Sequence, residues 1–347
     1  MSQLSLKNGK NETRWGVVLT ADEPAALVET NVRWHLALGA SAVFVYLDDP
    51  QDPAAANLAA IPSCTVQLCD AAYWRSRRPN KGRPPSQMRR QTINANHAQN
   101  GCDLDWLFHL DADEFIWQDG DFRQELAAHD DPSVELNLPV LERIFPDGPQ
   151  HTLFDGAFRM TSDLSDDDAK SAFGSFAPFM KRGQYSHGAG KSGVRVGAGL
   201  RLGVHNATRT GSEGRQRRAP KQVSTTARLL HFDGVTPLHW IMKSLRYQHT
   251  PPDVQASILQ PHRASQLHWM AERLADLAQA RDAHHDMFAL TQDRAHRLKA
   301  HGLLSHIPFS PSHALGSECP DLTPATFDAD LLRRAPWLAE CFDASGW

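Results

Sequence analysis

The chain carries a group of carboxylates at the end of an apolar segment, DWLFHLDADEFIW at residues 105–117. Asp111 and Asp113 stand two residues apart, so in an extended chain their side chains point to the same side. Two carboxylate ligands at this spacing suit Mg²⁺ or Mn²⁺, ions that complete their coordination with water and substrate phosphates. The alternative is a solvated turn, but the apolar flanks disfavour it because buried carboxylates need a compensating metal or N–H group.

The elements that would position these carboxylates alternate between strands and helices. The segments predicted as strands are 15–20, 42–49, 64–69 and 106–110, and those predicted as helices are 25–40 and 86–102. This alternation predicts an α/β fold with a mainly parallel sheet flanked by helices, which binds ligands at the carboxyl ends of its strands. Three of these ends are acidic, at Glu23, at Asp48 and Asp49, and at Asp111 and Asp113. One cleft would collect all three.

The second half of the chain is less regular. Between about residues 118 and 250, short strand-like segments (VELNLPVL, GVRVG, RLGVH and ARLLHF) alternate with loops. Residues 253–300 are predicted to be helical, and the Pro-rich tail from residue 306 is predicted to be irregular.

Composition and charge narrow the class of protein. The 347 residues carry a net charge of −4 and 41% hydrophobic residues, so a globular chain is expected and nucleic acid is not an expected partner. The N-terminus is polar, and no run approaches the roughly 18 apolar residues of a membrane span. Five cysteines without a C-x-x-C pair favour reduced thiols. These features predict a cytoplasmic protein without a transmembrane segment, and peripheral membrane association is compatible with them.

The stretch WLFHLDADEFIW resembles the W-x-x-x-x-D-x-D-E-F signature of GT-A-type glycosyltransferases, closest to a family 2-like and family 92-like subgroup. Residues 17–49 are similar to the opening strand, helix and second strand of that subgroup, with Glu29, His35 and Gly39 on the helix. The resemblance covers about residues 14–120. It implies a GT-A-like (Rossmann-like) fold, Mn²⁺ or Mg²⁺, and transfer from a nucleoside-diphosphate sugar, with a UDP-sugar favoured, to a glycan or lipid-linked acceptor. Inversion of the anomeric centre is favoured.

The resemblance also implies roles for acidic residues and histidines. Asp111 would lie near the donor ribose and the metal, and Asp113 would be the firmest metal ligand, while Glu114 would orient the loop. Glu23 and either Asp48 or Asp49 would line the nucleoside pocket, where carboxylates accept hydrogen bonds from base or ribose groups. GT-A-type enzymes often add a late histidine to the metal, and the candidates here are His205, which is favoured, and His231.

Basic and amide side chains are candidates for binding the donor diphosphate. Gln87, Arg90 and Gln91 begin the helix that leads to the acidic strand. Lys191, in GKSGVRVGAGLRLGVH, repeats a Lys-Ser, strand, His order of the resembled subgroup and is a candidate phosphate contact. A P-loop is excluded because Tyr185 stands where its first glycine is required. The basic loop at 209–221 is either a solvated surface or a segment that folds over the donor.

The catalytic base is not fixed by any spacing. An inverting transfer needs a carboxylate near the acceptor hydroxyl. The candidates in the irregular half are Asp147, Asp155, Asp163 and Asp233. Asp155 and Asp233 are the two that we predict as the base.

The expected organisation has three parts. Residues 1–13 are predicted to be disordered, 14–250 to form the transferase domain, and 251–347 to form a helical extension. Within the domain, 14–120 would bind the nucleotide and 121–250 the acceptor. The alternatives are a metal-dependent nucleotide-sugar hydrolase or nucleotidyltransferase, and a catalytically silent module that binds nucleotide sugars.

Overall fold

The computed structural model describes residues 12–211, 214–248, 259–273 and 277–338. The predicted disorder at 1–11, part of the predicted helical region and Cys341 lie outside these residues. The strands, numbered along the chain, are β1 (Trp15–Ala21), β2 (Ala42–Leu47), β3 (Cys64–Leu68), β4 (Trp106–His109), β5 (Glu114–Gln118), β6 (Glu135–Leu138), β7 (Val140–Ile144), β8 (Ala157–Met160), β9 (Lys191–Arg195), β10 (Thr208–Thr210), β11 (Gln216–Arg218), β12 (Lys221–Val223), β13 (Ala227–His231) and β14 (Leu304–Ser305).

The helices surround and follow these strands. They are α1 (Ala25–Ala37), α2 (Ala55–Ala59), α3 (Ala71–Arg77), α4 (Gln87–Gly101), α5 (Phe122–Ala128), α6 (Asp166–Phe173), α7 (Pro237–Gln248), α8 (Pro261–Ala271), α9 (Leu277–Phe288), α10 (Gln292–Ala300), α11 (Pro311–Leu315) and α12 (Pro324–Arg334), with 3₁₀ turns at Gly174–Phe179 and Gly316–Glu318. In the described part of the chain, no helix has both the length and the apolar character needed to cross a membrane.

A seven-stranded sheet in the order β12-β6-β9-β4-β1-β2-β3 forms the centre of the molecule. The strands β4, β1, β2 and β3 are mutually parallel, and β9 joins β4 in the antiparallel sense. The predicted α/β class with a large sheet flanked by helices is therefore confirmed. Because β1 to β4 run in one direction, their carboxyl ends meet at one edge, which is where acidic residues were predicted to gather.

Strand β1 shows how both faces of this sheet become covered. Its residues alternate between faces, so Val17 packs in a core shared with α1 and α5, whereas Val18 packs with Tyr73 and Trp74 of α3 and with Ala95 of α4. All five of these side chains are buried. The continuous apolar run WGVVL is what a strand buried on both faces requires.

A second, five-stranded sheet has the order β14-β8-β7-β13-β5. Strand β13 lies between β7, to which it is parallel, and β5, to which it is antiparallel. The acidic segment 111–114 therefore joins the two sheets, since β4 belongs to the first and β5 to the second. This second sheet was not foreseen from the sequence.

The sequence-based elements differ from the structure in two places. RLGVH is not a strand, because only Arg201 makes a bridge there, to Thr208. The tail is not irregular, since α11 and α12 lie within it and Phe327 and Leu331 of α12 are buried in the main core. Pro311 and Pro324 stand in the first turns of these helices, where a missing N–H costs nothing.

Candidate active site

Helix α1 fixes the backbone of the acidic segment. Asn31 donates its side-chain amide to the carbonyls of Ala112 at 3.1 Å and Glu114 at 2.8 Å. Nε2 of His35 accepts from the N–H of Ile116 at 3.1 Å while Nδ1 of the same ring lies 2.8 Å from the carbonyl of Asn31. Burial lowers the pKa of His35 to about 4, which keeps the ring neutral and able to accept. The histidine of the resembled helix therefore supports the acidic strand.

Lys191 joins two carboxylates of this segment. Its ammonium lies 2.7 Å from Oδ2 of Asp111 and 3.2 Å from Oε2 of Glu114, and the lysine side chain is fully buried. Burial alone would raise the pKa of Asp111, but the positive charge of Lys191 outweighs it and holds that pKa far below its usual value. Gln91 donates to the other oxygen of Asp111 at 2.6 Å. The predicted donor-binding residues Gln91 and Lys191 thus meet at Asp111.

The glycines around Lys191 serve backbone packing. Gly190 has φ +71° and lies against the carbonyl of Leu138, so a side chain there would be strained and would clash. Gly193 lies against the ring of Phe108, leaving no space for a Cβ. The phosphate-loop-like appearance of GAGKSG is therefore explained by close packing of β9 between β4 and β6.

A second lysine joins the next pair of carboxylates. Lys243, on α7, lies 2.5 Å from Oδ2 of Asp113 and 3.6 Å from Oδ1 of Asp233. Arg263 on α8 donates to the other oxygen of Asp233 at 2.9 Å. Although burial would raise the pKa of Asp233, the charges of Arg263 and Lys243 lower it well below its usual value. Asp111 and Asp113 are therefore each paired with a different ammonium group.

Glu114, His187 and His231 converge on one point. One potential ligand atom from each lies within 4.8 Å of the others. His231 and Glu114 are direct cross-strand partners on β13 and β5, so sheet register places them side by side. His187 comes from the loop before β9, with Nε2 3.2 Å from Oε1 of Glu114. A carboxylate and two imidazoles form a suitable ligand set for a divalent transition ion.

A buried hydroxyl sets the tautomer of His231. Oγ of Ser186 lies 2.9 Å from Nδ1 of His231 and 2.5 Å from Oε1 of Glu142. Because Glu142 can only accept when ionised, Ser186 donates to it and accepts from Nδ1–H of His231. Glu142 itself is the cross-strand neighbour of His231 on β7 and forms an ion pair with Arg159 on β8. In the neutral form of this ring the lone pair is then on Nε2, the atom available to a metal.

The charge balance of this cluster fits a cation. The carboxylates belong to Asp111, Asp113, Glu114 and Asp233, and the cations belong to Lys191, Lys243 and Arg263. Burial, reinforced by His231 and Lys191, lowers the pKa of His187 to about 3, so its ring is neutral at pH 7. Nδ1 of His187 is buried without a hydrogen-bond partner among the described residues. The excess of carboxylates is a feature that a bound cation would compensate.

His205, the favoured metal ligand in the sequence analysis, lies beside this group. Its ring centroid is 4.2 Å from that of His187, and its Nδ1 lies 3.3 Å from the carbonyl of Gly190. Burial, with the charge of Lys191, lowers the pKa of His205 to about 3. It is not part of the converging set, so its role as a ligand stays a prediction, as do those of Asp111 and Asp113.

A cavity of about 510 Å³ opens at the carboxyl ends of β1, β2 and β3. Its walls are formed by Asp22, Asp48, Asp49, Pro50, Cys69, Asp70, Ala71, Trp74, Arg75, Gly82 and Arg83. Asp48 is nearly buried, and Arg83 and Arg90 contact its Oδ2 at 2.8 and 2.9 Å. Oδ1 of Asp48 and Nε1 of Trp74 are buried and have no hydrogen-bond partner among the described residues. These two atoms are enclosed by the protein behind the cavity wall, and the polar groups that line the cavity itself are mainly the carboxylates of Asp22, Asp49 and Asp70 and the guanidinium groups of Arg75 and Arg83.

Short links connect the cavity to the carboxylate cluster. Asp22 lines the cavity and the next residue, Glu23, places Oε2 2.9 Å from Nε2 of His239 on α7. Burial would raise the pKa of Glu23, but His239 and Lys243 lower it to about 2. On the other side, Arg90 contacts Asp48 and its neighbour Gln91 contacts Asp111. The cavity and the cluster are therefore neighbours at the same edge of the large sheet.

The remaining predicted site residues do not join the cluster. Gln87 is exposed at the start of α4, and Asp49 is exposed at the rim of the cavity. The carboxylate of Asp155 accepts from the N–H groups of His151 and Thr152 and from the Thr152 hydroxyl, which is a local turn. Of the two base candidates carried forward, the structure brings only Asp233 to the cluster.

Several residues of the site were not predicted. They are His187, Ser186, Glu142, Lys243, His239 and Arg263. For the α7 pair a signal existed, since His239 and Lys243 stand four residues apart and so share one helix face. For Ser186 and Glu142 no local pattern exists, because strand register and a loop bring them together.

The fold and the site define a mixed α/β protein whose cleft combines acidic, lysine and histidine side chains at the carboxyl edge of a sheet. No protein-family model matches the chain, and the curated proteins give no match. Similar solved structures include S. aureus TarS (10% identity, TM-score 0.30, covering 74% of this chain and 42% of that chain), HddC from Yersinia pseudotuberculosis (8%, 0.31, 63% and 93%), and GalNAc-T7 with UDP, GalNAc and Mn²⁺ (9%, 0.34, 84% and 58%). The chain thus spans less than half of the TarS chain. Because identities and TM-scores are low, the function is inferred from the site itself.

Proposed function

We propose that this protein is a metal-dependent glycosyltransferase with a GT-A-like domain, which moves a sugar from a nucleoside diphosphate to a glycan or lipid-linked acceptor. The observation that carries the proposal is that a cavity of about 510 Å³ lies near Glu114, His187 and His231, which stand beside the fully buried Lys191 and the partly buried Lys243. The D-x-D-E-F resemblance supports the same reading. A pocket of several hundred cubic ångströms with a few convergent polar groups is typical of small-ligand sites.

The cavity is proposed to bind the nucleoside. Its walls include the carboxylates of Asp48 and Asp49, which can accept a hydrogen bond from a base N–H. Uracil carries such an N–H at N3, and a UDP-sugar is the donor proposed. Arg83, half-exposed beside Asp48, is available to move to a phosphate without leaving the buried Asp48 carboxylate unpaired, since Arg90 also contacts that carboxylate.

A divalent cation, Mn²⁺ or Mg²⁺, would be held by Glu114, His187 and His231, with Asp113 as the nearest further carboxylate, 4.0 Å from Nε2 of His231. When bound, it would supply Lewis-acid stabilisation of the charge on the leaving diphosphate. Two imidazoles favour Mn²⁺ over Mg²⁺, which prefers oxygen ligands.

Lys191 and Lys243 are proposed to place fixed positive charge on either side of this ligand set. Each ammonium is already oriented by two carboxylates. Lys191 would therefore stabilise a diphosphate without reorganising at the moment of reaction. Asp233 is proposed to face the acceptor. Its lowered pKa makes it a weak base while Lys243 and Arg263 contact it, so proton removal would require Lys243 to shift towards the donor.

The direct test is titration calorimetry of UDP with and without Mn²⁺, followed by turnover of a UDP-sugar panel with and without acceptors. We expect Mn²⁺ to strengthen UDP binding in the wild type, and His187→Gln to remove that increment. His268→Gln, at an exposed histidine, is the matched control and should leave it unchanged. If free sugar were released without any acceptor as fast as the sugar donor is consumed with one, the protein would be assigned as a hydrolase and not as a transferase. Absence of UDP and of other nucleotide binding would refute the proposal.

A further inference from the structure

Strands β10 and β11 form a basic hairpin at the edge of the large sheet. We call the described residues 207–211 and 214–223, which include these strands and β12, the basic ribbon. It contains five basic residues and no acidic residue, and Glu213 lies outside the described residues. The basic residues are Arg209, Arg215, Arg217, Arg218 and Lys221, and the side chains of all five are exposed. The whole chain has a net charge of −4, so this concentration of positive charge is local.

The arrangement of the arginines is electrostatically unfavourable on its own. Arg209 and Arg217 are direct cross-strand partners, so their side chains stand on the same face of the hairpin. Arg215, two residues before Arg217, shares that face, because the N–H of Gly211 continues the ladder to the carbonyl of Arg215. Like charges directly opposite each other destabilise a strand pair. Among the described residues none of these three arginines forms an ion pair within 4.0 Å.

The ribbon lies away from the proposed cleft. Lys221 pairs with Glu135 at the start of β6, whereas Leu138 at the end of β6 pairs with Lys191 in the cleft. The hairpin enters β12 at the Lys221 end, so it stands at the end of β6 opposite Lys191. This placement argues against a lid over the donor. A partner bound to the ribbon would leave the cleft open.

The shape of the ribbon favours a broad anionic partner. Arg218 stands on the face opposite to Arg209 and Arg217, so the charges cover both sides of a projecting two-stranded element. None of the five basic residues lines either of the two cavities described in the structure. No aromatic residue occurs between 207 and 223, which removes the stacking that single-stranded nucleic acid uses. The basic ribbon therefore complements an extended, negatively charged surface better than it complements a small ligand.

We propose that the basic ribbon docks this protein on an acidic phospholipid surface. Each lysine or arginine close to such a surface contributes about 1 kcal/mol of attraction. Adsorption of this kind needs no apolar insertion, and the ribbon offers only half-exposed Val223 for that. The inference is independent of the glycosyltransferase proposal, because it uses no residue of the cleft.

The test is co-sedimentation of the full chain with vesicles of phosphatidylglycerol and phosphatidylcholine at low salt. We expect binding to mixed vesicles but not to pure phosphatidylcholine, and loss of binding as NaCl rises from about 0.05 to about 0.5 M. The double variant Arg209→Gln/Arg217→Gln should weaken vesicle binding about 30-fold. The control Lys170→Gln/Lys299→Gln removes the same charge from exposed positions elsewhere and should bind as the wild type does.

Three results would overturn the proposal. They are no binding to acidic vesicles at low salt, equal loss in the control and the ribbon variant, and retention on heparin without any binding to vesicles. The last would assign the ribbon to a soluble polyanion. Circular dichroism and UDP binding of each variant distinguish a folding defect from the loss of the vesicle-binding surface. If no form of the protein bound UDP, that result would count against the proposed glycosyltransferase function and not against vesicle binding by the basic ribbon.

Discussion

Lys191→Met provides a quantitative test of the buried charge network. The lysine is fully buried and neutralises Asp111 and Glu114, so its removal leaves two carboxylates without their cation. Breaking a buried pair in this way costs roughly 3–5 kcal/mol. Unfolding entropy is about 2.1 cal/mol/K per residue, or ~0.7 kcal/mol/K for this chain, so Tm should fall by about 4–7 °C. Lys170→Met, at an exposed lysine, should change the free energy of unfolding by less than about 0.5 kcal/mol.

The pH dependence of the Lys191→Met effect has a definite sign. In the wild type the folded pKa of Asp111 lies below its unfolded value, so its contribution to stability is present above about pH 4 and is lost as pH falls. Without Lys191 the carboxylates should take up protons more readily, and the Tm difference between variant and wild type should shrink from pH 8 to pH 5. Differential scanning calorimetry at both values measures this. An unchanged Tm at pH 8 would refute the assignment of Lys191 as the internal counter-ion.

Four further outcomes are expected. Ser186→Ala should weaken Mn²⁺ binding by about 10–100-fold in calorimetry while leaving Tm without metal within a few degrees, since it frees the tautomer of His231; unchanged affinity would show that the hydroxyl does not orient the ring. Asp113→Asn should abolish Mn²⁺-dependent UDP binding, and an intact titration would reject its role. Trp74→Phe removes part of the aromatic wall of the cavity and should weaken UDP binding about tenfold. His35 should contribute a loss of stability of up to about 1.4 kcal/mol per pH unit between pH 6.5 and about 4, because in this range it takes up a proton only when unfolded; His35→Gln should reduce the slope by that amount in urea titrations at pH 5 and 7.

The parallel half of the fold is readable from the sequence because its signals are local. β1, β2, β3 and β4 are short β-branched or aromatic runs, and α4 begins at Ser86, whose side chain caps Arg89. Asp48 follows β2 and Asp111 follows β4, so the parallel arrangement predicted from the sequence is enough to place both residues at the carboxyl edge of the sheet. Sequential strands joined by helical crossovers are usually neighbours in the sheet, as β1, β2 and β3 are here.

The second sheet and the histidine pair were beyond such reasoning. β13 lies between β5 and β7, which come more than 80 residues earlier in the chain. The sequence of the strand itself, ARLLH, does not indicate which strands it pairs with. The burial of Lys191 was also unforeseen, because a lysine beside glycines is usually solvated. Its counter-charges, Asp111 and Glu114, lie about 80 residues away in the sequence.

The row Glu114, His231, Glu142 and Arg159 crosses four adjacent strands, β5, β13, β7 and β8, at matched positions. Its spacing is dictated by main-chain ladders, so thermal motion of the surrounding loops leaves it unaltered. Only His187 has to be immobilised when an ion enters, and the entropic cost of capture is accordingly confined to one side chain. A scaffold of this kind retains its coordination geometry when loop sequences diverge, which makes the strand register, rather than any linear motif, the feature to look for in distant relatives.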